Sequence, residues 1–328
     1  MKTSGQLRNQ GSIYSRSHQI FAMTDTHPPT LDPQAARRWQ HLPGDASPWL
    51  HEEVAQRMQE RLDLIKCQPA HWIDWQPGRG GLQAHGLVAR RYPKATCQVF
   101  ESSLAGVQLA TQTLVAPRWN PKAWLAPKTT VAQDIGAPAQ MLWSNMALHM
   151  AAEPLALLAQ WHQALEVDGF LMFSCLGPDS LMEMRSLYQS RQWPAPAHAF
   201  TDMHDWGDML LSVGFAEPVM DVERITLTFA TPERLLQELR GLGRNLYRGR
   251  FAALRGRHWQ QQLCDALASQ PLQLTFEVIY GHAFKPSPKL PVSAHSAITL
   301  DEMRAALQRS RGAADASQAS ITIGGQHG

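Results

Sequence analysis

Residues 141–181, MLWSNMALHMAAEPLALLAQWHQALEVDGFLMFSCLGPDSL, constrain the fold more than any other stretch of the chain. A short apolar run, Met141–Trp143, ends in the polar pair Ser144-Asn145. Leu155, Leu158, Trp161 and Leu165 then fall at helical spacing. Asp168-Gly169 reads as a helix stop, and Phe170–Leu176 as a second buried strand. Strand, polar tip, helix, turn and strand make one right-handed crossover unit of an open parallel sheet. Ligands of such sheets bind beyond the carboxyl ends of the strands, which places Ser144 and Asn145 at a candidate site. The plain alternative is an ordinary crossover with nothing at its tip.

A chain of 328 residues, 44% of them hydrophobic, can bury one large core or two modest ones. Its formal charge of +2 is near balance, so non-specific adhesion to nucleic acid or membrane is not implied. No apolar run approaches the roughly 20 residues that span a bilayer. Cys67, Cys97, Cys175 and Cys264 lack CxxC spacing, which suits reduced thiols and a soluble, cytoplasmic, monomeric protein.

Residues 1–40 are expected as a disordered tail with a possible start at Met23, and 289–328, rich in Ala, Ser and Gly towards its end, as a second. Between them His51–Ile65 reads as an amphipathic helix, His71–Trp75 and Thr96–Phe100 as strands, and Gln83–Arg90 as a helix. Val115–Ala139 fits neither period. Helical stretches at Ser180–Gln189, His204–Val213 and Thr231–Leu242 surround one strand candidate, Arg224–Phe229, before a last strand within Pro271–Phe284. Residues 178–257 therefore read as a helical lid over the carboxyl edge of the sheet.

Three constellations carry chemistry. The first is Asp74-Trp-Gln-Pro-Gly78-Arg-Gly80-Gly81, between the first strand and a helix. Glycines there allow close backbone approach to a ligand, and the helix N-terminus supplies free N–H donors. Glu101 ends the second strand 21 residues after Gly80, about the spacing of a carboxylate that accepts ribose hydroxyls. Taken alone, the glycines equally suit a tight turn. Second, Asp134 precedes the fourth strand, where it could accept an adenine amino group or be a solvated loop residue. Third, Arg240, Arg244, Arg248, Arg250, Arg255 and Arg257 lie within 18 residues. They form a solvated face, a dock for an acidic partner, or a clamp for a substrate carboxylate. The 14 histidines show no metal-ligand spacing, and neither a nucleophile elbow nor a Walker loop is present.

The blocks WSNMALHM, DGFLMFSCLGPDSLMEMR, AHAFTDMHDWGDMLLSVGF, ITLTF with LLQELRGLGRN, and LTFEVIYGHAF occur in this order. From about Trp72 to Phe284 the chain resembles the malonyl-[acyl-carrier protein] O-methyltransferases of the biotin pathway. A mitochondrial complex I assembly factor reported as an arginine hydroxylase resembles the same lid and last strand, so a non-catalytic or hydroxylating assembly factor is the alternative. The main resemblance implies an α/β fold over 41–288: the open, mainly parallel seven-stranded Rossmann-like sheet of class I methyltransferases, with 178–257 as its helical lid. It also implies S-adenosyl-L-methionine as cofactor. Asp74 would open the cofactor loop and Gly78 and Gly80 admit the methionine part. Glu101 would hold the ribose, Asp134 the adenine, and Ser144 and Asn145 line the pocket. Trp39 or Trp49 stands for an aromatic residue that relatives carry near the N-terminus. The acceptor would be malonyl-acyl-carrier protein, docked by Arg240, Arg244, Arg248 and Arg250. A carboxylate acceptor is ionised at pH 7, so no catalytic base is expected. Gln76 replaces the first glycine of the loop. If that position needs positive φ, the strain is roughly 1–2 kcal/mol.

Overall fold

A computed structural model describes residues 30–42, 47–115, 128–253 and 255–288. Seven strands form one sheet: β1 (His71–Trp75), β2 (Thr96–Phe100), β3 (Thr129–Ala132), β4 (Ala139–Ser144), β5 (Leu165–Leu176), β6 (Ala216–Thr228) and β7 (Gln273–Phe284). Their order is β3-β2-β1-β4-β5-β7-β6. The first five run parallel, and β7 is antiparallel to both β5 and β6. β1 and β4 pair with their tips level, Trp75 opposite Ser144, so the glycine-rich turn and Asn145 start from the same edge.

The central strands are apolar on both faces because helices cover both. On one side Val54 and Met58 of α2 (Trp49–Arg61) and Ala84 and Val88 of α4 (Leu82–Arg91) join Trp72 and Trp143 in the core. On the other, Leu158 and Trp161 of α6 (Pro154–Ala164) and Trp206 and Leu210 of α8 (Met203–Ser212) pack with Trp75 and Phe173. Trp72, Trp143, Trp161 and Trp206 are almost wholly buried. Side chains of this size cost about 3–5 kcal/mol each when cut to alanine.

Several expectations shift. α6 ends at Ala164 rather than at Asp168-Gly169. Asp168 instead sits at φ 64° inside β5, near a register irregularity against β4. The stretch 178–257 is not one cap. α8 and β6 belong to the sheet layers, because Trp206 and Leu210 have a core face to fill. Only α7 (Met182–Ser190), α9 (Pro232–Leu242) and the loops around them lie over the edge, joined by α10 (Arg257–Ala268), a helix not foreseen.

The tail expected at 1–40 is also ordered in part. Leu31 bridges Tyr247, and α1 (Pro33–His41) begins on Asp32, whose carboxylate accepts from Gln34 N and Ala35 N at 2.9 and 3.2 Å. Asp-Pro before a helix is a strong start signal, and Leu31 and Ala36 find a small core with Ala152 and Leu246. Residues 1–29, including Met23, and the tail from 289 lie outside the described residues. Among those described, no helix is long and apolar enough to cross a membrane.

Candidate functional site

The turn after β1 is built on Gln76, held left-handed at φ 54°, ψ 50°, so the condition for strain at this position is met. A four-residue helical turn, Pro77–Gly80, follows, and the Gly78 N–H donates to Glu101 Oε1 at 2.7 Å. A Cβ on Gly78 would fall 2.8 Å from that oxygen, and one on Gly80 would fall 2.7 Å from the Asn145 carbonyl. Glycine is therefore a steric requirement at position 80, where the neighbour is backbone, while a side chain at position 78 would displace the Glu101 carboxylate. Burial pushes the Glu101 carboxyl up to about 7, against the lowering effect of the Gly78 N–H.

Asp74 faces the other way. It is buried beneath the turn with Oδ2 2.8 Å from His85 Nδ1 on α4, and burial raises its carboxyl above the usual range. Asn145 is a staple. Its amide nitrogen donates to the carbonyls of His51 (2.8 Å) and Gly80, and its oxygen accepts from Ser174 Oγ at 2.6 Å. Ser144 is fully buried, and its hydroxyl has no partner among the described residues. Asp134 is exposed. Gln98 grips its loop at the Asp134 carbonyl (2.8 Å) and the Gly136 N–H (3.2 Å), so the carboxylate is not brought to the cleft.

A cleft of about 170 Å³ opens at the glycine turn, lined by Trp39, His51, Gln76, Arg79, Gly80 and Asn145 among others. His51 was not foreseen here. Its Nδ1 lies 2.7 Å from the Arg79 carbonyl, which can only accept, so Nδ1 carries the proton. Burial lowers this imidazole to about 4, which keeps it neutral at pH 7. Arg79 stacks 3.9 Å over the Trp39 ring and donates to the carbonyls of Trp39 (2.7 Å) and Leu42. Trp49 is exposed on α2 and does not line the cleft.

A second cavity, about 400 Å³, lies under α7, α9 and α10. Its walls are mainly apolar, with Leu176, Met184, Leu239, Trp259 and Phe276 among them, and Arg240, Arg244 and Arg255 line it too. Met150 and Leu242 border both cavities, so the two adjoin. The arginine run divides between two tasks. Arg248 Nε donates to the Leu31 carbonyl at 2.8 Å, and Arg250 pairs with Asp32 at 2.7 Å. Those two hold α1 down, which corrects their expected place in a carrier dock. The chain ahead of α1 had read as a tail, so no anion was in view to occupy them.

A glycine turn at the tip of β1, an acidic residue at the tip of β2 and an antiparallel β7 inserted between β5 and β6 define a class I methyltransferase. No family model matches the chain in a scan of protein-family models. Curated relatives do. It is 37% identical over 259 residues to the malonyl-[acyl-carrier protein] O-methyltransferase of Gallionella capsiferriformans, covering 75% of this chain and 87% of that protein. Identity to the enzyme of that name from Laribacter hongkongensis is 38% over 258 residues, 75% and 86% of the two chains. A third, from Methylovorus, is 33% identical over 259 residues, with 75% and 86% covered. The chain belongs to the malonyl-[acyl-carrier protein] O-methyltransferase family. The assembly-factor alternative is not favoured.

The residues at the turn fit the donor set that S-adenosyl-L-methionine needs. Gly80 lines the cleft, the Gly78 N–H is already given to Glu101, and Glu101, outside the cleft lining, keeps acceptor capacity beyond that bond. The space does not yet match. Small-molecule sites run to about 300–1,000 Å³, above the cleft's 170 Å³, and Trp39 and Arg79 fill its wall.

Proposed function

We propose that this enzyme methylates the free carboxylate of a malonyl thioester borne on acyl-carrier protein, with S-adenosyl-L-methionine as donor, in the biotin pathway its resemblance implies. The observation that carries this reading is the pair of adjoining cavities, a glycine-turn cleft and an apolar chamber fringed by arginines. When bound, the cofactor supplies an electrophilic methyl on a sulfonium: the S–C bond breaks as a carboxylate oxygen forms the O–C bond. The protein's part is binding and alignment. Glu101 accepts from the ribose hydroxyls, and Gly78 and Gly80 let the amino-acid portion lie against the backbone. Asn145 fixes the turn against β4. The lid helices exclude water, so that proximity and desolvation supply most of the rate. No base is needed, since the acceptor is ionised at neutral pH.

The exposed Arg240 lines the chamber and, with the exposed Arg257 at the start of α10, presents positive charge to an acidic carrier. Purified enzyme, cofactor and malonyl-carrier should give a product 14 Da heavier by mass spectrometry, with no product from acetyl-carrier. Equal methylation of acetyl-carrier, or none of malonyl-carrier by enzyme that binds the cofactor, would remove the proposal.

A further inference from the structure

An acceptor that reacts through its carboxylate must be held by a cation where the two cavities meet. His149 and His198 line the acceptor chamber, but burial lowers both, and both are neutral at pH 7. The His198 Nε2 is committed to the His149 carbonyl at 2.8 Å, so the neutral ring has only a bare Nδ1 left, an acceptor and unsuited to an anion. Among the arginines, Arg248 and Arg250 hold α1, and Arg255 lies flat on Trp259 at 3.5 Å. Arg240 lines the chamber but not the cleft.

Arg244 is different. It lines the acceptor chamber, and its guanidinium stands 5.5 Å from the ring of Trp39, which lines the cofactor-side cleft. Arg79 approaches the same ring at 3.9 Å, so two cations flank one indole. Neither is in an ion pair among the described residues. Arg244 bonds only to carbonyls of its own segment, Arg240 and Gly243, through Nη1. The Glu101 carboxylate already acts on Arg79, so of the two cations flanking this ring Arg244 is the one whose charge an entering anion would balance.

We propose that Arg244 binds the free carboxylate of the acceptor and thereby selects acyl thioesters that end in a carboxylate over those that end in a methyl. This rests on the malonyl-carrier reading above. It separates Arg244 from carrier docking, since the effect must persist when the carrier is absent. Arg244 is a substrate-binding residue here, with Nη2 and Nε as the free donors of its fork.

The test uses the full chain and malonyl-N-acetylcysteamine, a small thioester without carrier. Arg244→Gln should lower kcat/KM on it by roughly 10- to 100-fold, the usual effect of losing hydrogen bonds to a charged group. Arg244→Lys should recover part of the loss. Binding of S-adenosylhomocysteine, read by calorimetry, should stay at the wild-type value. With that product bound, wild type should bind the malonyl thioester more tightly than the acetyl thioester, and Arg244→Gln should bind the two alike. A variant impaired only on malonyl-carrier would make Arg244 a docking residue and overturn the inference. So would a parallel loss of S-adenosylhomocysteine affinity, which would assign Arg244 to the cofactor. Wild type that binds the cofactor but methylates neither malonyl substrate would sink the functional reading and this inference with it.

Discussion

Gln76 and Glu101 set the character of the cofactor turn at the residue scale. A left-handed glutamine carries strain of roughly 1–2 kcal/mol, while glycine there adds unfolded-state entropy. Gln76→Gly should therefore raise stability by about 1 kcal/mol in urea titration; a loss would mean that the glutamine side chain holds the turn. Glu101 titrates near 7 when folded, against 4.5 for the ordinary carboxyl. The folded state thus binds the extra proton between those values, and ionising the group costs stability as pH rises through about 4.5 to 7. The ligand-free enzyme should lose melting temperature across that window, and Glu101→Gln should flatten the loss. Cofactor affinity should move the opposite way, rising through pH 7 in wild type because ribose hydroxyls need the ionised acceptor, and falling in the variant at every pH above it. Calorimetry at pH 6 and 8 reads this; equal affinities in wild type would remove Glu101 from the ribose.

The strap formed by Leu31 and α1 borders the cofactor-side cleft through Trp39. It is tied by Arg248, by the Arg250–Asp32 pair and by the Asp32 cap, while Trp39 closes the wall of the cleft. Asp32→Ala removes the cap and the ion pair together, a loss of about 1 kcal/mol for the cap alone. Exchange of the α1 amides with deuterium should quicken while β1 and β4 stay protected, and the cofactor should dissociate faster. Unchanged exchange in α1 would show that its apolar contacts with Ala152 and Leu246 suffice. Removing Asp32 should leave the fold intact, since α1 contributes only a small satellite core.

For the whole molecule, the charge layout predicts how enzyme and carrier meet. With a formal net charge of only +2, attraction must come from the local arginines Arg240 and Arg257 rather than from a global field. KM for malonyl-carrier should climb as salt rises from about 0.05 to 0.3 M, because exposed charges are screened over roughly 8–10 Å. KM for the small thioester should change far less. Parallel salt curves for the two substrates would show that the arginines do not steer the carrier.

How much of this was legible in the chain follows from what each signal depends on. The crossover at 141–181, the first two strands and the 21-residue interval from Gly80 to Glu101 could be read directly, because period, punctuation and spacing are local properties. Strain at Gln76 could be posed only as a condition, from the glycine that relatives carry there, and the fold supplied its positive φ. Asp134 could not be placed: its loop is set by Gln98, a residue distant in sequence. Nor could the division of the arginines, for Arg248 and Arg250 are occupied by a strap more than two hundred residues upstream. His51 carried no motif, and only burial against Arg79 makes it a neutral donor in the cleft wall. Sequence by itself determined which segments become strands and helices and which turn can face a nucleoside, because backbone preference and apolar period act over a few residues. Tertiary structure alone decided which charges remain free, since pairing and desolvation depend on whatever the fold brings alongside.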